Sequence, residues 1–490
     1  MIAGRLWFWV GGALSALEAL AADPFVATDI QPRGLVLGAQ EISIPANLAP
    51  EGTRLWTRFA ATTEPGILRG DRLFFALKTD VATGIALAQF HGPGGISQPF
   101  LLRTGSMPVD RKLSAEIDAG RGVRIAGTTA LDLTLPPATT RRIEIELARG
   151  VRVDVEAFAR RLGSGFDPFL ELIDPRGRSL GSVDDTLGLG RDARGSWDIR
   201  SGGRHVLLLR DSSHAGGKDH WVHLEISIGS SREKSRDPAT RERKTRPVEA
   251  TALPAVRTPE GSLEGVLTKP GDVLRFPIEG VKGTSRWIEL RMRRLGSPGD
   301  AEVWIEDGDG RRVAGLDPSQ EDDGAFGFTF ESQGPHRLCV RELTGGGSAE
   351  HRFQLHWRPG RGGFGIQSEK QTLEILPGGT AEFPLRVSRK DFDGEVVVRA
   401  EGLPEGFGVE PTTLAAKSKE GRVTLKAAAG ATPGSRVEFR LVAEGKIEGN
   451  AVRESVRTRA ALTKIWPGRL HPPEGWDGVL CVGVVAKRSP

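Results

Sequence analysis

The sequence predicts an all-β chain of tandem antiparallel β-sandwiches following a signal peptide, and three observations carry that expectation. Gly and Pro supply 64 and 31 of the 490 residues, a density of turn formers that suits many short strands and excludes a helical bundle. Apolar and polar residues alternate with period two in run after run, as in strands with one buried and one wet face. The chain also repeats itself: Pro137 to Arg178 laid over Pro270 to Arg311, without a gap, gives 15 identities in 42 positions. A length of 490 residues, at about 100 to 200 residues per domain, calls for three or four such units.

Charge narrows the function classes. Lys and Arg number 67 against 63 Asp and Glu, so the chain is neither a disordered polyelectrolyte nor a strongly basic nucleic-acid binder. Cys339 and Cys481 are the only cysteines; two thiols in different units make no disulfide framework, although a single bridge stays open. Tyrosine is absent while Trp counts 10 and Phe 20, which leaves cores and binding faces to those two aromatics.

The first residues read as an address. Met1 to Arg5 give a short positive start, Leu6 to Leu17 an apolar run, and Ala19-Leu20-Ala21 a small-x-small cleavage site before Ala22. A membrane helix needs roughly 20 apolar residues, and Glu18 interrupts this run. Residues 1–21 are therefore expected to be a signal peptide. The mature chain is expected to be secreted, periplasmic or on the cell surface, without a transmembrane span.

Residues 24–104 form short β-like runs between turn clusters, among them Leu73 to Leu77, Gly84 to Phe90 and Phe100 to Leu102. With Pro32-Arg33-Gly34 at the start and Gly95-Ile96-Ser97 before the last strand, this unit resembles the immunoglobulin-like, transcription-factor-type (IPT/TIG) modules of bacterial surface proteins.

Residues 108–229 and 259–358 are the two copies of the repeat. Arg160-Arg161-Leu162-Gly163-Ser164 falls on Arg293-Arg294-Leu295-Gly296-Ser297, and Asp167, Asp174, Gly177 and Asp184 fall on Asp300, Asp307, Gly310 and Asp317. After a two-residue deletion, Asp192, Gly203, His205 and Arg210 meet Asp323, Gly334, His336 and Arg341. Ile143, Ile145 and Leu147 alternate with Glu144 and Glu146, then Val151, Val153 and Val155 with Arg152 and Asp154, which predicts an antiparallel sandwich of about 100 residues. Asp174-Pro175-Arg176-Gly177 and Asp307-Gly308-Asp309-Gly310 are hairpin turns.

Leu162-Gly163-Ser164, Asp167-Pro168, Leu170 to Asp174, Gly177, Asp184-Asp185, Asp192, Gly203, Leu209-Arg210-Asp211 and Gly216-Gly217 resemble the bacterial pre-peptidase C-terminal (PPC) domain. The resemblance implies a jelly-roll-like sandwich of the kind appended to secreted proteases and similar to collagen-binding domains, some of which bind calcium. The second copy departs from the pattern, with Ala301 after Asp300, and Thr139-Thr140-Arg141 stands where the family's first-strand Asp-x-Asp is usual.

Residues 230–258 link the copies. Ser231 to Arg246 carries seven Lys or Arg and three Asp or Glu, which reads as a solvated linker, with contact to an anionic polymer as the other reading. Residues 364–462 alternate through Leu373, Ile375, Phe383, Leu385 and Val387 and contain Gly402-Leu403-Pro404-Glu405-Gly406; they resemble the Ig-like repeats of bacterial surface proteins. Residues 463–490 are expected to be a tail with one closing strand. The whole layout is similar to exported proteins of planctomycete-type bacteria.

No Gly-x-Ser-x-Gly elbow, His-Glu-x-x-His helix or phosphate-binding Gly-rich loop is present in the sequence. His205, His214, His220 and His223 crowd into one copy, but two histidines three apart on a strand point to opposite faces, which argues against a shared metal. Asp184, Asp185 and Asp192, echoed by Asp317, Asp322 and Asp323, offer the loop oxygens that calcium takes; the plainer reading is that they cap turns. Trp221, Trp287, Trp304 and Trp357 lie on repeat strands as core filling or as a glycan or protein platform. The expectation is a non-catalytic exported array of modules in series, capturing extracellular polymer or protein through several weak contacts. The alternative is an accessory subunit of a separately encoded secreted hydrolase.

Overall fold

The computed structural model describes residues 23–490 apart from 51, 60–63, 80–82, 106, 187–188, 231–258, 272, 317–322, 344–345, 468, 470, 474 and 488–490. The expected signal peptide, the basic run Ser231 to Arg246, and Asp317 and Asp322 lie outside the described residues. The chain is all-β, with two short α-helices, Arg111–Asp118 and Arg459–Ile465, among the described residues. No helix among them is long and apolar enough to cross a membrane.

The two repeat copies share one topology. In the first, strands Thr129–Thr134, Trp221–Ser230, Val151–Phe158 and Arg194–Asp198 form one sheet in that order. Ser179–Val183, Pro168–Ile173, Gly203–Asp211, Thr140–Leu147 and Arg124–Ile125 form the other. The second copy repeats this as Gly261–Val266, Arg352–Pro359, Ser285–Arg291 and Ala325–Thr329 over Arg312–Leu316, Ala301–Glu306, Gly334–Glu342 and Val273–Gly280. The period-two pattern places Ile143, Ile145 and Leu147 in the core with Val153, Val155, Leu170, Leu172, Leu207 and Leu209, while Glu144 and Glu146 turn outward.

In the first unit, Gly34–Leu35, Phe100–Thr104, Gly84–Gly92 and Arg54–Thr57 face a three-stranded sheet of Gly38–Pro45, Arg72–Thr79 and Ile67–Arg69. Phe75, Phe90 and Phe100 stack through its core at centroid spacings of 4.9 and 5.0 Å. The fourth unit closes in a way the sequence reading did not place. Val479–Val484 runs parallel to Thr372–Ile375 and antiparallel to Arg436–Ile447, between them, with every residue buried. Val479–Val484 is the closing strand expected of residues 463–490, and an all-apolar strand of this kind belongs in a sheet interior.

Nor are the modules strung out in series. The first unit packs on the fourth: Arg436 Nε donates to Gln89 Oε1 at 2.7 Å, Gln89 Nε2 to Thr372 Oγ1 at 3.2 Å, and Ile96 N to buried Glu374 at 3.1 Å. Leu87, Leu101, Phe158, Leu162, Leu462, Trp466, Trp476 and Val479 make one apolar cluster drawn from the first, second and fourth units. Burying apolar side chains from three modules together removes the freedom that a string of independent domains would keep.

Candidate functional site

The residues expected to bind a cation divide into two groups. Asp192 is fully buried, where its Oδ1 accepts the backbone N–H groups of Ala159 and Arg160 at 3.1 and 2.7 Å. Its Oδ2 takes Arg161 N at 3.2 Å and Arg161 Nε at 2.7 Å. Asp323 repeats the arrangement on Arg293 N, Arg294 N and Arg294 Nε. This is why the Arg-Arg-Leu-Gly-Ser motif recurs: a buried aspartate staples the short 3₁₀ turn of each copy, satisfying backbone donors and pairing with the second arginine. Asp192 is thus a staple of its turn, with both carboxylate oxygens bonded within the protein.

Asp184 and Asp185 instead converge with Asp167, one carboxylate oxygen of each lying within 4.8 Å of the others. Asp167 opens the strand Pro168–Ile173, and its backbone N–H is held by Asp211 Oδ2 at 2.8 Å. Arg191 Nη1 stands 3.2 Å and Arg160 Nη2 4.0 Å from its Oδ2. Asp184 Oδ2 accepts the Ser212 hydroxyl at 2.9 Å. The Oδ1 atoms of Asp167 and Asp184 are both buried without a hydrogen-bond partner, which is costly for a carboxylate. Burial pushes the Asp167 carboxyl above its ordinary range; Arg160 and Arg191 oppose this and the Asp185 charge adds to it. Three carboxylates at this spacing fit a hard cation with oxygen distances of about 2.3–2.6 Å. Asp167 is a candidate ligand that the sequence did not single out, although Asp167-Pro168 before a strand was on view; only the pairing of that strand with Ser179–Val183 brings it beside Asp184.

The histidines do not share a site. His205 and His336 are buried equivalents whose Nδ1 atoms lie 2.9 and 3.0 Å from the carbonyls of Gly203 and Gly334. His220 precedes the strand Trp221–Ser230 rather than lying on it as expected, and His214 sits in a turn at φ 58°. His223 is buried between the first and second units, with Nδ1 2.7 Å from Asp132 and Nε2 3.5 Å from Glu225. Glu225 takes Arg103 of the first unit through Nε at 2.9 Å and Nη2 at 3.2 Å. Asp132 accepts Arg33 N at 2.7 Å, and the Arg33 guanidinium lies 3.4 Å above the Trp221 ring. Burial works against the charged imidazole, but the bonds to Asp132 and Glu225 outweigh it and raise His223 to about 9. Burial likewise opposes the Glu225 charge, and His223 with Arg103 overrides it to hold the carboxyl at about 2. A cluster charged at neutral pH, with each member paired, clamps two modules together.

Both cysteines are buried and free, so the single bridge left open by the sequence does not form. Burial pushes their thiols up to about 12 and 11, far from the thiolate a reactive cysteine requires. Trp357 fills the core of the second copy, whereas Trp221 lies under Arg33, and Trp287 packs against Gly363 with Arg358 5.3 Å from its ring.

The class defined by this geometry is an all-β assembly of four packed sandwich units. No family model matches the chain and no curated protein matches it. Among solved structures it is similar to the β-glucuronidase of Bifidobacterium dentium, at 15% identity over 38% of this chain and 40% of that one, with a TM-score of 0.24. The secreted serine protease VesC of Vibrio cholerae matches at 10% identity over 40% of this chain and 48% of that one, TM-score 0.17. Domains 1–6 of the surface layer protein SbsC match at 9% identity over 93% of this chain and 54% of that one, TM-score 0.16. The chain thus spans less than half of the glucuronidase and of the protease. At these scores none of the three bears on what it does.

Proposed function

We propose that this protein is an exported, non-catalytic capture protein that holds an extracellular polymer or protein, with the two PPC-like sandwiches as the presented modules. One observation carries the reading: the polar groups that most resemble chemistry are bonded into structural roles, His223 between two units and Asp192 and Asp323 within a turn of each copy. Meanwhile one edge strand of each copy pairs with a single neighbour among the described residues. Ser179–Val183 and Arg312–Leu316 show the same alternation of exposed and half-buried residues, and each displays an exposed apolar side chain at the equivalent position, Leu180 and Val313. Such an edge is a template for a partner unless it is protected. Calcium belongs to the same reading, held by Asp167, Asp184 and Asp185, where it would fix the loop after the first edge strand.

The test is co-sedimentation of the purified chain from Ala22 onward with insoluble collagen, peptidoglycan and cell-envelope material, with calcium and with chelator. Saturable binding to one of them supports capture. No binding to any of them moves the reading to an accessory subunit of a separate secreted hydrolase.

A further inference from the structure

The outer face of the second copy differs from that of the first in a way that points to a ligand class. On the sheet face turned away from the sandwich core, strand pairing lays the residues of four strands in a grid whose middle, Cys339 and Trp304, is covered by its neighbours. One row runs Arg275, Cys339, Trp304, Gly315; the row on one side is Val273, Arg341, Glu302; the row on the other is Pro277, Arg337, Glu306, Arg312. Glu302 is shared by Arg341, at 2.7 Å, and Arg312. Glu306 is shared by Arg275 at 3.4 Å and Arg337 at 3.8 Å, and accepts the Trp304 indole N–H at 3.1 Å. The two glutamates are nearly buried, with side-chain exposures of 9 and 11%, while all four arginines remain 47–49% exposed. Trp304 lies beneath them, its ring centroid 5.8 and 5.7 Å from the guanidinium carbons of Arg312 and Arg341. Glu279 stands at one end of the same face.

Each guanidinium has five N–H donors in a rigid fork, and the buried glutamates occupy only part of that capacity. They hold the arginines in place while leaving outward donors for another acceptor, which lowers the ordering cost of binding an anion. Arg275 to Arg312 spans three inter-strand spacings, about 14 Å, a footprint for a chain carrying several anionic groups. The first copy, with the same topology, has no such face: Ser179, Val206, Leu208, Glu171, Phe169 and Ile173 stand where the second copy has Arg312, Arg337, Cys339, Trp304, Glu302 and Glu306. Of the four arginines, only the counterparts of Arg275 and Arg341, namely Arg142 and Arg210, are present. The fold does not require the arginines, since the sister module is built without two of them.

We propose that this face of the second sandwich binds an anionic polysaccharide through its sulfate or carboxylate groups. The proposal rests on the capture reading and names its substrate class. The substitutions that test it are those the first copy already tolerates, Arg312→Ser with Arg337→Val, after which Glu302 keeps Arg341 and Glu306 keeps Arg275. The full mature chain is applied to immobilised heparin, polygalacturonate and neutral dextran across a salt series, with circular dichroism to confirm folding. Two controls run in parallel: Arg142→Ala on the first copy, and Gln in place of the seven Lys and Arg of Ser231 to Arg246.

The expected result is retention on heparin or polygalacturonate but not dextran. The double variant should bind at least about tenfold more weakly, as loss of one charge-assisted contact implies. Its salt dependence should drop by about two ions, and both controls should bind as the parent does. Three results overturn the proposal: no retention on either polyanion, an unchanged double variant, or loss of binding in the linker control alone. Co-sedimentation with envelope material separates the two readings. If it persists while both polyanions are ignored, the anionic-glycan proposal falls and capture stands; if it fails as well, both fall.

Discussion

Trp466 lies directly against Gly163. A Cβ on that glycine would sit 2.5 Å from Cδ1 of the indole, and the glycine itself is left-handed at φ 87°. The repeat counterpart, Gly296, is left-handed too, at φ 73°, but a Cβ there would meet nothing within 4 Å among the described residues. Both glycines end the 3₁₀ turn of the Arg-Arg-Leu-Gly-Ser motif, and only the first is also a docking surface for the C-terminal segment.

Gly163→Ala and Gly296→Ala separate the two demands. Each pays the backbone cost of a side chain in the left-handed region, about 1 kcal/mol. Gly163→Ala additionally displaces Trp466 from the cluster shared by three units, an overpacking cost of about 1–3 kcal/mol. Thermal melts should show the first variant unfolding at distinctly lower temperature than the second. Equal melting temperatures would mean that the Trp466 contact adds nothing.

The His223 cluster makes stability depend on alkaline pH. A histidine raised to about 9 in the folded state, against about 6.5 when unfolded, contributes stability fully below the unfolded value and loses it as pH rises through 9. Glu225, held at about 2, contributes above its ordinary value near 4.3 and loses it as pH falls toward 2. Urea midpoints of the parent should therefore decline between pH 7 and 10. His223→Phe removes the imidazolium and leaves Asp132 and Glu225 sharing a buried interface. It should cost on the order of 3–5 kcal/mol at pH 7 and flatten the alkaline decline.

Asp192 and the Asp167 cluster should respond differently to calcium. Added calcium is expected to raise the melting temperature of the parent, and Asp184→Asn with Asp185→Asn should abolish the shift while leaving the calcium-free melt little changed. Asp192→Asn should melt early with or without calcium, because it removes the buried charge facing Arg161 Nε and one acceptor of the staple. A calcium shift that survives the paired substitution would rule out this site.

Glu454, on the strand Asn450–Ser455, is pushed up to about 7 by burial and by the neighbouring charge of Glu289, with Arg358, Arg291 and Arg294 opposing. These charges belong to the second sandwich, whereas Glu454 belongs to the fourth unit. A carboxyl raised in the folded state stabilises most below its unfolded value, and that contribution is lost as pH rises through 7. Glu454→Gln should leave the melt near pH 5 unchanged and raise it at pH 8. Equal shifts at both pH values would place the effect outside this ionisation.

Much of this was legible in the linear chain because its signals are local. Period-two alternation at Ile143, Ile145 and Leu147 predicted buried strand faces, and the matched motif at Arg160 and Arg293 predicted two copies of one module; both appear in the sheets. Hairpin turns at Asp174 and Asp307 follow from Asp and Gly chemistry within four residues, and in both the aspartate Oδ1 accepts two backbone N–H groups of its own turn. What the sequence by itself determined, then, was the β class, the repeat and the turns, each set by neighbours a few residues apart. Only the tertiary structure decided the rest. Asp192 and Asp184 look alike in sequence, yet one is enclosed behind a 3₁₀ turn and the other meets Asp167 across a strand pair. The apolar run at Val479 finds its place only between strands more than 30 residues away. The physical reason is the same in each case: a carboxylate or an apolar strand is defined by what surrounds it, and those surroundings come from distant parts of the chain brought together by burial.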